Sequence, residues 1–171
     1  MRGLTIEGAT FDGGLNFDNC DLRDSRIWNC NLSRSTFRGC DMRGTNIVNC
    51  DCRGCDFTGA NISRSTLTGL DMRYCILTHC IMDRSDVSGC DLGGLDFSSV
   101  NVYGSIFNHS ILAYAKFDDS DLWGCHFERA NLTGTCLDPD AQPNGNVSEF
   151  ERDGEFIIAY RRRRAGHIDE Y

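Results

Sequence analysis

Proline is nearly missing from this chain of 171 residues: there are two, Pro139 and Pro143, and none earlier. A long proline-free stretch suits a fold in which every short segment donates backbone hydrogen bonds, because proline removes the donor. Long apolar runs are missing as well. Nothing approaches the 18 or so uninterrupted apolar residues of a membrane-spanning helix, and the opening MRGLTIEGATFDGG lacks the apolar centre of a secretory leader. The expected setting is the cytoplasm, with no membrane partner. Signatures of chemistry are missing too. There is no P-loop, nucleophile elbow or dinucleotide fingerprint, and His79, His109, His126 and His167 have no zinc-like spacing. The expectation is therefore a protein that is not an enzyme, with no catalytic residue, cofactor or metal ligand.

What the chain does have is a beat of five. From Phe17 to Leu137, 25 consecutive positions spaced by five hold Phe, Leu, Ile, Val, Met or, once, Cys52. The residue two places earlier is small in nearly every case, as at Cys20, Ser25, Cys30, Ser35 and Cys40, and the residue between is Asp or Asn in 15 of the 25 units. On a helix a period of five scatters the apolar residues around the axis. On a flat strand it sends alternate ones to opposite faces. The remaining solution is a chain that runs inward, outward, inward and then turns a corner with two outward residues.

A longer period gives the number of sides. Phe17, Phe37, Phe57, Leu77, Phe97 and Phe117 lie twenty apart, as do Ser25, Thr45, Ser65, Ser85 and Ser105. Four sides of five residues make one coil, and coils stacked at about 4.8 Å place each ring over the next. Ile6 and Phe11 keep the period but stand one residue out of phase with Phe17, and Gly13 and Gly14 are expected to absorb the extra residue.

This unit, small then Asp or Asn then large apolar, resembles the A(D/N)LXX motif of the pentapeptide-repeat family over about four-fifths of the chain. The resemblance implies an all-β fold, a right-handed quadrilateral parallel β-helix, over residues 1–138. Residues 139–171 read as a loop, a hairpin turning at Asp153 and Gly154 with Phe150, Phe156, Ile158 and Tyr160 alternating, and a basic tail. That hairpin is expected to cap the last coil. The stretch TCLDPDAQPN and the later IIAYR are similar to the C-terminal extensions of bacteriophage members, and that resemblance implies a bacterial or phage-infected host cell and a phage-encoded modulator of a host protein.

Eleven cysteines include a C-x-x-C at Cys52 and Cys55. Nine of them fall at the small inward position, however, which suits compact packing better than metal or redox chemistry. The serine column likewise points inward, toward hydrogen bonds with the neighbouring coil.

Function is thus expected on the outer surface, as a protein-binding scaffold. Tyr103 and Trp123 share one outward position on adjacent coils. Ile76, Ile81, Ile106 and Ile111 replace the usual Asp or Asn, with Tyr74 and Tyr114 nearby, and are expected to form an apolar patch on the C-terminal half. The alternative is electrostatic. Up to Asp138 the chain holds 12 basic and 18 acidic residues, with carboxylates in lines at Asp21 and Asp41 and at Asp51, Asp71 and Asp91. Members of the resembled family that protect or inhibit DNA gyrase are understood as DNA mimics, and an acidic rod would be steered to a basic DNA-binding groove. Against this, Arg23, Arg38, Arg43, Arg53 and Arg73 interleave with the carboxylates, and Asp and Asn beside the core can serve the turns themselves. A third reading is small-ligand sequestration by a homo-oligomer. The run Arg161, Arg162, Arg163 and Arg164 is four cations only, more in keeping with a solvated end than with direct nucleic-acid binding.

Overall fold

The computed structural model describes residues 1–11, 13–118 and 120–137. The chain winds as a four-sided parallel β-coil. Strands β1 (Thr5–Glu7), β2 (Arg26–Trp28), β3 (Asn46–Val48) and β4 (Thr66–Thr68) form one sheet in that order. Ile27 pairs with Ile47 and Ile47 with Leu67, a step of twenty. The other three sides are joined by shorter parallel bridges with the same step, such as Thr36 to Asp56, Asp41 to Asn61 and Asp51 to Asp71. No helix among the described residues is long and apolar enough to cross a membrane.

Each corner is a tight turn. The Cys20 N–H donates to the Phe17 carbonyl at 2.9 Å, and Asn19, the third residue of that turn, has φ 58°. A left-handed third residue is what lets a four-residue turn redirect the chain sharply, and the same arrangement recurs around the coil. Two outward residues per unit are used in this way, which is why the period is five rather than four.

The first coil departs from the rule as expected. Ile6 pairs with Ile27 and Thr10 with Asn31, a step of 21, whereas Asn16 pairs with Thr36, a step of twenty. The extra residue therefore lies between Thr10 and Asn16. Gly14 permits the close passage: a Cβ there would lie 2.5 Å from the Arg34 carbonyl oxygen.

Of the 25 large apolar positions, 24 are buried and Leu132 is half-buried. Phe17, Phe37 and Phe57 stack with centroids 5.1 and 5.0 Å apart, and Phe97 stacks on Phe117 at 4.9 Å. Phe107 stacks on Phe127 in a second column and meets Phe97 edge-on at 5.9 Å. Burial of each ring contributes about 2–3 kcal/mol, and the columns lock successive coils in phase.

The small inward residues do more than fill space. Ser85, Ser105, Ser110 and Ser120 donate their hydroxyls to the carbonyls of Ile62, Met82, Val87 and Phe97 in the preceding coil. Thiols at the same position do likewise: Cys90 to Leu67 at 2.8 Å, Cys125 to Val102 at 2.9 Å and Cys75 to Cys52 at 3.0 Å. The reading of cysteine as a small apolar filler thus needs enlarging, since it serves here as a weak donor interchangeable with serine. Cys20 is half-buried and Cys136 exposed; the other nine are buried. The expected capping hairpin and the run Arg161 to Arg164 lie outside the described residues.

Candidate interaction surface

Two lines of carboxylates run down opposite faces of the coil. Asp21 bridges to Asp41 on one face, and Asp51 to Asp71 to Asp91 on the face two corners away. Neither line is a bare anionic strip. The Arg23 guanidinium sits 2.7 Å from Asp21 and 3.5 Å from Asp41 in the next coil. Arg43 holds Asp41 at 2.6 Å. Across the molecule, Arg53 joins Asp51 at 2.6 Å to Asp71 at 3.7 Å, and Arg73 joins Asp71 at 2.7 Å to Asp91 at 3.5 Å. The arginine hydrogen bonds hold the Asp21, Asp41, Asp51 and Asp71 carboxyls below the usual carboxylate range.

The same carboxylates serve the backbone. The N–H groups of Arg23, Arg53, Arg73 and Gly93 donate to Asp21, Asp51, Asp71 and Asp91 two residues earlier. Asn31, Asn61, Asn101 and Asn131 accept in the same way. Asp and Asn recur in 15 of the 25 units, and accepting from the turn backbone is a role independent of what the outer surface binds.

Charge divides along the axis. Residues 1–64 hold eight basic and eight acidic side chains, whereas residues 65–137 hold four and nine. The acidic excess belongs to the C-terminal half and includes Asp83, Asp86, Asp118 and Asp121, which make no ion pair among the described residues.

Large exposed apolar side chains gather in that same half: Tyr74, Ile76, Ile81, Tyr103, Ile111, Tyr114 and Trp123, with Met1 at the far end. They do not make the single patch that their sequence spacing suggests. Ile76, Ile81, Ile106 and Ile111 begin four different sides of the coil, pairing respectively with Asp56, Asn61, Asp86 and Asp91. Ile106 is also half-buried rather than exposed. Proximity in the chain misleads because each step of five turns a corner.

Two smaller groups result. Ile81, Tyr103 and Trp123 share the face that also carries Asp21 and Asp41, and the Arg84 guanidinium lies 5.9 Å from the Tyr103 ring centre. On the opposite side, Ile111 lies on the face of Asp91, and Tyr74 and Tyr114 stand at the corner that ends it. Tyr74 is 79% exposed and Tyr114 70%. A cleft of about 450 Å³ borders Tyr74 and is also lined by Phe11, Asn31, Arg34, Arg53 and Gly54.

A family model described as "Pentapeptide repeat region" matches residues 15–83, and one described as "Pentapeptide repeats (8 copies)" matches residues 110–138. No curated protein matches the chain. Among solved structures, trypsin-treated QnrB1, a plasmid-mediated fluoroquinolone resistance protein, is 17% identical with a TM-score of 0.44, covering 71% of this chain and 88% of its own. HetL, a pentapeptide repeat protein involved in heterocyst differentiation regulation in the cyanobacterium Nostoc, is 17% identical with a TM-score of 0.29, covering 85% and 90%.

Proposed function

This chain belongs to the pentapeptide-repeat family, and from that premise we propose that it is a non-catalytic scaffold that binds another protein through a fixed outer surface of its C-terminal half. The observation that carries this reading is that, among the described residues, the large exposed apolar side chains lie within residues 74–123, apart from Met1. Exposed aromatics on a backbone held by hydrogen bonds at every step lose little freedom when a partner covers them, so binding costs little ordering. Trp and Tyr are also the residues that most often dominate such contacts.

A second reading, an acidic DNA mimic that binds DNA gyrase or topoisomerase and protects or inhibits it, is favoured by the excess of nine acidic over four basic residues in positions 65–137. The arginine-paired lines at Asp21, Asp41, Asp51, Asp71 and Asp91 do not support it, since their charge is already matched in place. Charge that is not matched in place among the described residues lies instead on Asp83, Asp86, Asp118 and Asp121, spread over three sides of the coil.

Capture from cell extract separates the two. The apolar reading expects a retained protein that survives moderate salt and is lost with Trp123→Ala or Tyr103→Ala. Mimicry expects retention of gyrase that falls steeply as salt rises, with loss on neutralising Asp83, Asp86, Asp118 and Asp121. Retention indifferent to both sets of variants removes both surfaces from consideration.

A further inference from the structure

One corner of the coil carries a regular comb. Its third turn residue reads Arg34, Gly54, Tyr74, Gly94, Tyr114, Gly134 through successive coils, so a long planar side chain alternates strictly with glycine. All six have positive φ, between 60° and 71°, a conformation in which a bulky residue is disfavoured relative to glycine by about 1–2 kcal/mol. Tyr74 and Tyr114 share that conformation with ten other non-glycine turn residues among those described, but they are the aromatic rings at this corner and stand largely exposed. The glycines between them leave notches. A Cβ at Gly94 would meet nothing within 4 Å, and Gly54 lies in the floor of the cleft of about 450 Å³ between Arg34 and Tyr74. The Gly134 notch, by contrast, is filled by the Tyr114 ring, whose carbons would lie 2.5 Å from a Cβ there.

Ridges two coils apart stand about 9.6 Å from each other at the usual strand spacing. A polyproline II helix advances about 9.3 Å per turn of three residues. Prolines three apart therefore fall in step with the notches over Gly54 and Gly94, with Tyr74 between them, and aromatic ridges are the surfaces on which such helices dock. Charge selects the rest of the ligand. Arg34 makes no ion pair among the described residues and, with Arg53, lines the cleft at the N-terminal end of the comb. An acidic residue shortly before the first proline would meet it.

We propose that this corner docks a proline-rich segment of a partner protein, with an acidic residue one or two places before a P-x-x-P motif lying along the rod axis. The proposal deepens the scaffold reading and rests on it.

The test is fluorescence anisotropy of the full chain with a labelled peptide of about twelve residues carrying E-x-P-x-x-P. Tyr74→Gly and Tyr114→Gly are suitable variants because glycine already occupies this column and accepts the left-handed backbone. The expected result is saturable binding that weakens about tenfold in each variant, weakens with Arg34→Gly, and is lost when the prolines are moved to adjacent positions. No saturable binding by the unaltered chain, equal binding of a scrambled peptide, or affinity unchanged in both tyrosine variants would overturn it. So would preferential binding of a single-stranded oligonucleotide at the same corner. If capture through Trp123 persists while the peptide does not bind, the scaffold reading stands and this inference falls alone.

Discussion

The hydroxyl of Ser85 lies 2.6 Å from the carbonyl oxygen of Ile62, one coil earlier, and both residues are buried. Removing the donor strands a carbonyl away from water. Ser85→Ala is expected to destabilise the chain by about 1–3 kcal/mol. Ser85→Cys should cost less, because Cys90 makes the same contact to Leu67 at 2.8 Å. Urea denaturation of the two variants checks this, and equal losses would refute the view that thiol and hydroxyl share a donor role.

The Asp and Arg ladders give a signed dependence on acidity. Asp41, Asp51 and Asp71 bind protons less readily in the folded chain than their ordinary value of 3.8 because arginine hydrogen bonds hold them ionised. Their contribution to stability is thus present above that value and is lost as pH falls through the lowered ones. Thermal melts should drop progressively as pH falls below about 4. A triple Asp41→Asn, Asp51→Asn, Asp71→Asn variant keeps the turn acceptors and should show a flatter drop. An unchanged slope would mean that these pairs are too exposed to matter.

Thiol reactivity should be graded by depth. Burial pushes the Cys40 thiol up to about 11 and those of Cys80, Cys90 and Cys125 up to about 12. At pH 8 a thiol reagent should label Cys136 first and half-buried Cys20 next, with the nine buried cysteines reacting only on unfolding. Rapid labelling of all eleven in the native chain would contradict the packed interior.

The architecture was largely written in the beat of five. The phenylalanine columns, the inward serines and the offset at Gly13 and Gly14 all follow from counting, because one side chain in five must reach the axis. The outer surface was less legible. Ile76 and Ile81 look like neighbours in the chain, yet a corner separates their sides, and only the modulus of twenty shows it. Ile106 looks as exposed as Ile111, but how far it is covered depends on its three-dimensional surroundings rather than on its own unit. The contact of the Tyr114 ring with Gly134 was not legible either, since a rotamer chooses between the coil above and the coil below.

The offset between Thr10 and Asn16 shows the coil absorbing a change of count where Gly14 lets the backbone pass close to Arg34. Elsewhere position along the chain behaves like a reading frame. Deleting twenty residues would shorten the molecule by one storey and leave every downstream side chain pointing as before. Deleting five would keep the interior intact but swing everything beyond it through a quarter turn. The heading of any surface relative to another is therefore an inheritable angle, adjustable in units of one repeat without altering a single contact residue.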